Sequence, residues 1–279
     1  MSSLFQKGSH QLCTCALEIH PMGTYMTHFK VEPKIESGEG KLASLPRATL
    51  VERRDVTDDL MVIKLVPDDG VFEFKPGQYC TLGKEGVERA YSIASAPHQD
   101  FLEVFVELVP DGELTPKMWR LNNGDTMSVR PRGKGVFTFK ENFHHHLMLS
   151  TVTGVSPTIS MIRHYLHENR QAHTFYVLLG ASYCDEFTYD RELSELAVKY
   201  PNTVKFVPTC SRPDETRNAG WAGTKGRVNS IFEGYLGKFN LPKDDTMIYA
   251  CGHPGMIADS KEKADLAGWN FVEERFWKE

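Results

Sequence analysis

Residues 147–157 read Leu147-Met148-Leu149-Ser150-Thr151-Val152-Thr153-Gly154-Val155-Ser156-Pro157. A short apolar run, a glycine-containing turn and a proline at the head of an apolar-periodic stretch predict a buried strand (Leu147–Thr151) running into a helix (Pro157–Asn169). The same alternation continues downstream. Strands are expected at Phe175–Leu179, Val204–Thr209, Met247–Cys251 and Phe271–Phe276. Helices are expected at Tyr189–Lys199, Val228–Tyr235 and Pro254–Gly268. Strands that alternate with helices imply crossover units and a doubly wound parallel sheet, which takes ligands at the carboxyl ends of its strands. The turns Thr151–Pro157, Cys210–Arg212 and Gly252–Gly255 are therefore the places to look for a site.

Upstream the rhythm differs. Ala48–Arg53, Leu60–Val66, Phe72–Phe74, Gln78–Leu82, Ala90–Ala94, Leu102–Val109, Thr126–Arg130 and Val136–Phe139 are short strand-like runs separated by glycine, proline and asparagine. Such spacing predicts an antiparallel barrel or sandwich. One short helix is expected at Pro116–Leu121, with Thr115 as N-cap and a left-handed stop at Asn122-Asn123-Gly124. The chain divides into an extension (1–44, with the linker-like Ser37–Lys41), a β-barrel unit (45–143) and an α/β unit (144–279).

Composition narrows the function. Of 279 residues, 41% are hydrophobic and 25% charged, with a net charge of -5. No segment is basic enough for a nucleic-acid or anionic-membrane footprint, and no apolar run reaches the ~18 residues of a membrane-spanning helix. Arg47 is the first arginine, which argues against an arginine-rich transit peptide. The six cysteines (Cys13, Cys15, Cys80, Cys184, Cys210, Cys251) are scattered and contain no CxxC pair. Reduced thiols in a cytoplasm are expected, without zinc or an iron–sulfur cluster. His144-His145-His146 reads as a solvated loop, because consecutive histidines cannot all face one metal.

Five stretches could carry chemistry. In Arg89-Ala90-Tyr91-Ser92 a strand puts Arg89 and Tyr91 on one face, a fork for phosphate beside a flat ring; a solvent-facing strand has the same pattern. Arg130–Phe137 spaces glycines between cations, as an anion-binding loop or a plain turn would. Ser150–Pro157 would bring a phosphate to a helix N-terminus, or it is an ordinary strand–helix turn. Ser211-Arg212 and Lys225-Gly226-Arg227 could grip a 2′-phosphate or simply be solvated. Cys251–Met256 is a tight turn after a strand with a cysteine that packing alone would explain.

The order of these stretches settles more than any one of them. RAYS (89–92), VPDGELT (109–115), a glycine-rich turn (130–137), TVTGVSP (151–157), SR (211–212), GR (226–227) and CGHPGM (251–256) follow one another over residues 45–279. The chain thereby resembles the ferredoxin–NADP⁺ reductase superfamily, particularly the bacterial ferredoxin/flavodoxin–NADP⁺ reductases. The resemblance implies an antiparallel β-barrel FAD domain followed by a doubly wound α/β NADP(H) domain. It implies that Arg89 binds the flavin's phosphate, Tyr91 packs on the isoalloxazine and Ser92 hydrogen-bonds near N5, with Ala90 on the same strand. Phe105, Glu113, Leu114 and Thr115 would line the flavin and its ribityl–phosphate chain, and Gly133 and Gly135 would meet the pyrophosphate. Thr151 would lie near the flavin. Ser211, Arg212 and Arg227 would recognise the 2′-phosphate. Cys251 would place a thiol near the nicotinamide C4, and Phe276, with Trp277 as competitor, would cover the flavin. Ser92 and Cys251 are thus the expected catalytic residues. Two positions depart from the family pattern: Val152 stands where the turn usually has glycine, and Ser182 where relatives often have arginine.

The implied activity is hydride transfer from NADPH to FAD and release of single electrons to ferredoxin or flavodoxin, by a cytoplasmic monomer. The alternatives are the reductase component of an oxygenase or similar electron-transfer system, and a flavin- or nucleotide-binding protein without turnover.

Overall fold

The computed structural model describes residues 45–275. The extension 1–44, Phe276 and Trp277 lie outside the described residues.

The first half is one antiparallel sheet of β1 (Arg47–Asp55), β2 (Leu60–Pro67), β3 (Tyr79–Lys84), β4 (Val87–Ser92), β5 (Leu102–Glu107) and β6 (Thr126–Lys134), in the order β4-β3-β6-β1-β2-β5. Its two edges meet, because the Ala94 N–H donates to Glu103 O at 2.7 Å just beyond β4. The sheet is thus a barrel, and the period-2 pattern explains its core. Along β2, Met61, Ile63 and Leu65 fill the interior with Leu50, Leu82, Val104 and Val129. Leu60 and Val62 point out, into a core shared with the second half.

The second half is a parallel sheet in the order β10-β9-β8-β7-β11-β12. Its strands are β7 (His145–Thr151), β8 (Thr174–Ala181), β9 (Val204–Cys210), β10 (Thr224–Lys225), β11 (Thr246–Cys251) and β12 (Asn270–Glu274). Alternation sorts the side chains cleanly. Met148, Val177, Leu179 and Tyr249 pack under α2 (Ser156–His167) and α3 (Asp190–Lys199). Leu147, Leu149, Leu178 and Ile248 pack under α4 (Val228–Lys238) and α5 (Pro254–Ala267). Both faces are covered, as a parallel sheet requires.

The local differences from the sequence reading have identifiable causes. Phe72–Phe74 and Val136–Phe139 are not strands, although Phe74 and Phe137 are buried; these rings fill core space from irregular backbone. The short helix α1 spans only Thr115–Met118, and Thr115 does not cap it. Its hydroxyl instead donates to Val109 O (3.1 Å) and accepts from the Val109 N–H (2.9 Å), tying off the preceding loop. Gly124, at φ 97°, belongs to the turn before β6 rather than to a helix end. The histidine run is a solvated loop only at His144. His145 and His146 open β7, and His146 is fully buried, its ring stacked on Phe175 and its Nδ1 3.2 Å from the Tyr249 hydroxyl. Parallel pairing with β8 and β11, both later in the chain, draws these two residues into the sheet, which the local sequence pattern did not reveal.

Candidate functional site

The C-terminal ends of β7, β8, β9 and β11 face the outer side of β4 and β5 across a cleft of ≈ 1010 Å³. That is the upper end of the range for ligand pockets and suits an extended ligand.

The barrel supplies one wall through Arg89, Ala90, Tyr91 and Ser92 of β4, Phe105 of β5, and Glu113, Leu114 and Thr115. The Ser92 hydroxyl is buried and has no hydrogen-bond partner. A buried hydroxyl left unpaired is costly unless a ligand satisfies it. Burial raises the Tyr91 hydroxyl pKa, and nearby Arg89 opposes the shift, so the group stays a neutral phenol. Arg89 is ion-paired with Glu113, and its Nη1 also donates to Glu88 O at 2.8 Å.

The parallel sheet supplies the facing wall: Thr151, Ser211, Arg212 and Arg227, with Val152, Gly154, Ser182, Gly252 and His253. The turns after β7 and β11 interlock. A Cβ on Gly252 (φ 130°) would lie 2.2 Å from Thr151 Oγ1, and one on Gly154 would lie 2.2 Å from Cys251 O, so only glycine fits at either place. The Thr151 hydroxyl accepts the His253 N–H at 2.7 Å, and His253 Nδ1 accepts from the Gly255 N–H at 3.0 Å, which caps α5. Val152 takes φ 43°, a left-handed conformation that a β-branched residue rarely adopts.

Twelve of the residues singled out from sequence therefore line one cleft. Three do not. β6 continues to Lys134, which pairs with Tyr79, so Gly133 and Gly135 belong to a strand and its end rather than to a free turn. Gly133 is backed by Phe74 and Gln78, and Gly135 by the Tyr79 ring and Glu274. The Cys251 side chain is buried at the end of β11, behind the cleft wall. Burial, reinforced by the neighbouring Glu274 charge, holds it as a thiol.

Other residues of consequence gave no sequence signal. Glu274, at the end of β12, is pushed up to about 7 by burial and can hold or release a proton near neutrality. Tyr183 lies where Ser182 left a cation missing. Its hydroxyl donates to Glu215 Oε2 (2.6 Å) and accepts from Arg212 Nη1 (2.9 Å), while the Arg217 guanidinium sits 4.2 Å from its ring centre. Beneath the cleft, Arg163 of α2 joins the two halves. It meets Glu103 of β5 at 2.8 Å and both oxygens of Glu192 at 2.7 Å, and the Tyr189 hydroxyl donates to Glu103 at 2.9 Å.

A family model for the oxidoreductase FAD-binding domain matches residues 47–137, and one for the oxidoreductase NAD-binding domain matches 148–262. The chain is 31% identical over 203 residues to the flavodoxin/ferredoxin–NADP reductase of Escherichia coli, covering 68% of this chain and 79% of that protein. It is 30% identical over 226 residues to Protein RfbI of Salmonella typhimurium, covering 80% of this chain but 64% of that protein, just under two thirds of its length. Among solved structures, a ferredoxin NADP⁺ reductase from Neisseria gonorrhoeae with bound FAD and NADP shares the fold, with a TM-score of 0.71, 23% identity, and coverage of 83% of this chain and 98% of that one.

Proposed function

Since the chain belongs to the ferredoxin–NADP⁺ reductase superfamily, we propose that it passes electrons from NADPH through FAD to a ferredoxin or flavodoxin in the cytoplasm, acting as a monomer. In this reading residues 45–143 hold the flavin and residues 144–279 hold the nicotinamide nucleotide.

The observation that carries the reading is the unpaired Ser92 hydroxyl, which shares one cleft with Arg89 and Tyr91 on one side and Arg212 and Arg227 on the other. The residues fit FAD: a cation for its phosphate, a neutral ring for stacking and a buried hydroxyl that needs a partner. FAD, when bound, supplies the hydride-accepting and one-electron chemistry. The chain's own groups do the rest. Tyr91 would provide a flat support for a ring, Ser92 would orient a polar ring atom, and the interlocked turns at Thr151 and Gly252 would shape the wall that meets the nicotinamide nucleotide. Arg212, steadied by Tyr183, binds the 2′-phosphate with Ser211 and Arg227. No helix among the described residues is long and apolar enough to cross a membrane.

Ser92→Ala tests the reading. Flavin occupancy should hold while NADPH–ferricyanide turnover of the flavin-loaded protein falls at least tenfold, about one well-placed hydrogen bond. Unchanged turnover would remove Ser92 from the reaction.

A further inference from the structure

We propose that Glu113 is a resident competitor for the flavin's phosphate and loosens this chain's hold on FAD. The inference rests on the assignment of Arg89 to that phosphate.

Arg89 is the only cation that the barrel and its loops contribute to the described cleft wall. Its guanidinium is engaged by the Glu113 carboxylate through Nη2 and by Glu88 O through Nη1. A carboxylate and a phosphate present the same kind of acceptor to an arginine fork, and the fork serves one of them well at a time. Glu113 stays within reach because its loop is fastened: the Thr115 hydroxyl bonds both the N–H and the O of Val109. The cations nearby offer no substitute. Arg130 is held by both oxygens of Glu88, at 2.9 and 2.6 Å, and Lys117 by Glu85 at 3.0 Å. A flavin phosphate reaching Arg89 must therefore displace Glu113 from the fork.

The side chains of Arg89 and Glu113 are 53% and 68% exposed, so the pair is worth little to folding and variants at either position should fold. The same exposure sets the size of the effect. Loss of a solvent-screened competitor should tighten binding about two- to fivefold.

The test is a double-mutant cycle on the apoprotein, read by quenching of FAD fluorescence, with thermal melts as the folding control. Glu113→Gln should lower the Kd for FAD two- to fivefold and slow exchange of bound for free flavin. In the Arg89→Ala background the same substitution should give no gain. An unchanged or raised Kd in Glu113→Gln overturns the proposal. A gain that survives in Arg89→Ala also overturns it, because Glu113 would then act without Arg89. If Arg89→Ala itself leaves the Kd unchanged, the assignment of Arg89 to the phosphate fails first, and that failure is distinguishable from the other two.

Discussion

Replacement of Arg163 by methionine should be the most destabilising single change at the junction of the two halves. Arg163 is 19% exposed and Glu103 only 7%. Burial works against the Arg163 charge, but Glu192 and Glu103 together hold its pKa above the usual arginine value. Methionine keeps the stem and removes the charge. Glu192, at 32% exposed, can turn to water. Glu103 cannot, and keeps only the Tyr189 hydroxyl as a side-chain donor. Breaking one side of such a buried pair costs roughly 3–5 kcal/mol, against a total stability of about 5–15 kcal/mol. For a chain of this size that corresponds to a fall in Tm of roughly 5–10 °C. Urea unfolding and calorimetry would measure it. Arg163→Met/Glu103→Gln should regain at least half of the loss, because an orphaned charge and not lost packing is the cause. A loss under about 1 kcal/mol, or a double variant no more stable than the single one, would refute the reasoning.

Three further outcomes follow from particular residues. Burial lowers His146 to about 3, so the unfolded chain takes up its proton near 6.5 while the folded chain resists; this group's stability is complete above pH 6.5 and falls by about 2 kcal/mol between pH 6.5 and 5. His146→Asn should flatten that part of the stability–pH curve, and an unaltered slope would contradict the burial argument. At Val152, φ 43° carries a strain of about 1–2 kcal/mol that glycine relieves and alanine does not, so melts should rank Val152→Gly above Val152→Ala; the reverse order would mean the turn is not left-handed. Arg212→Ala should raise KM for NADPH and leave NADH nearly untouched, since the lost contact is to a group NADH lacks; equal harm to both would end its assignment to the 2′-phosphate.

Much of this was legible in the sequence because it depends on local pattern. The alternation in Leu102–Val109 and the strand–turn–helix signal at 147–157 mark core faces, and core faces set the two sheets. Arg89 and Tyr91 were legible because a strand fixes which residues share a side, and Ser92 was legible only through the RAYS resemblance. What stayed hidden depends on distant partners. His146 looks like any loop histidine until Tyr249 and Phe175 are placed beside it. Gly133 and Gly135 resemble an anion-binding turn until Lys134, between them, pairs with Tyr79 of β3. The Arg163–Glu103–Glu192 cluster joins residues 29 and 60 positions apart, a spacing that no periodicity reports. Tyr183 follows Ser182, the residue where a cation was missed, yet its link to Arg212 exists only once β8 and β9 lie side by side.

The central claim is that one cleft brings a nicotinamide nucleotide to a flavin. An anaerobic titration of the FAD-reconstituted protein with NADPH, followed by absorbance, tests it most directly. The account predicts a two-band flavin spectrum that bleaches in proportion to added NADPH and returns on addition of an oxidised one-electron acceptor. A protein that takes up no FAD, or whose flavin spectrum is unmoved by excess NADPH, would contradict it.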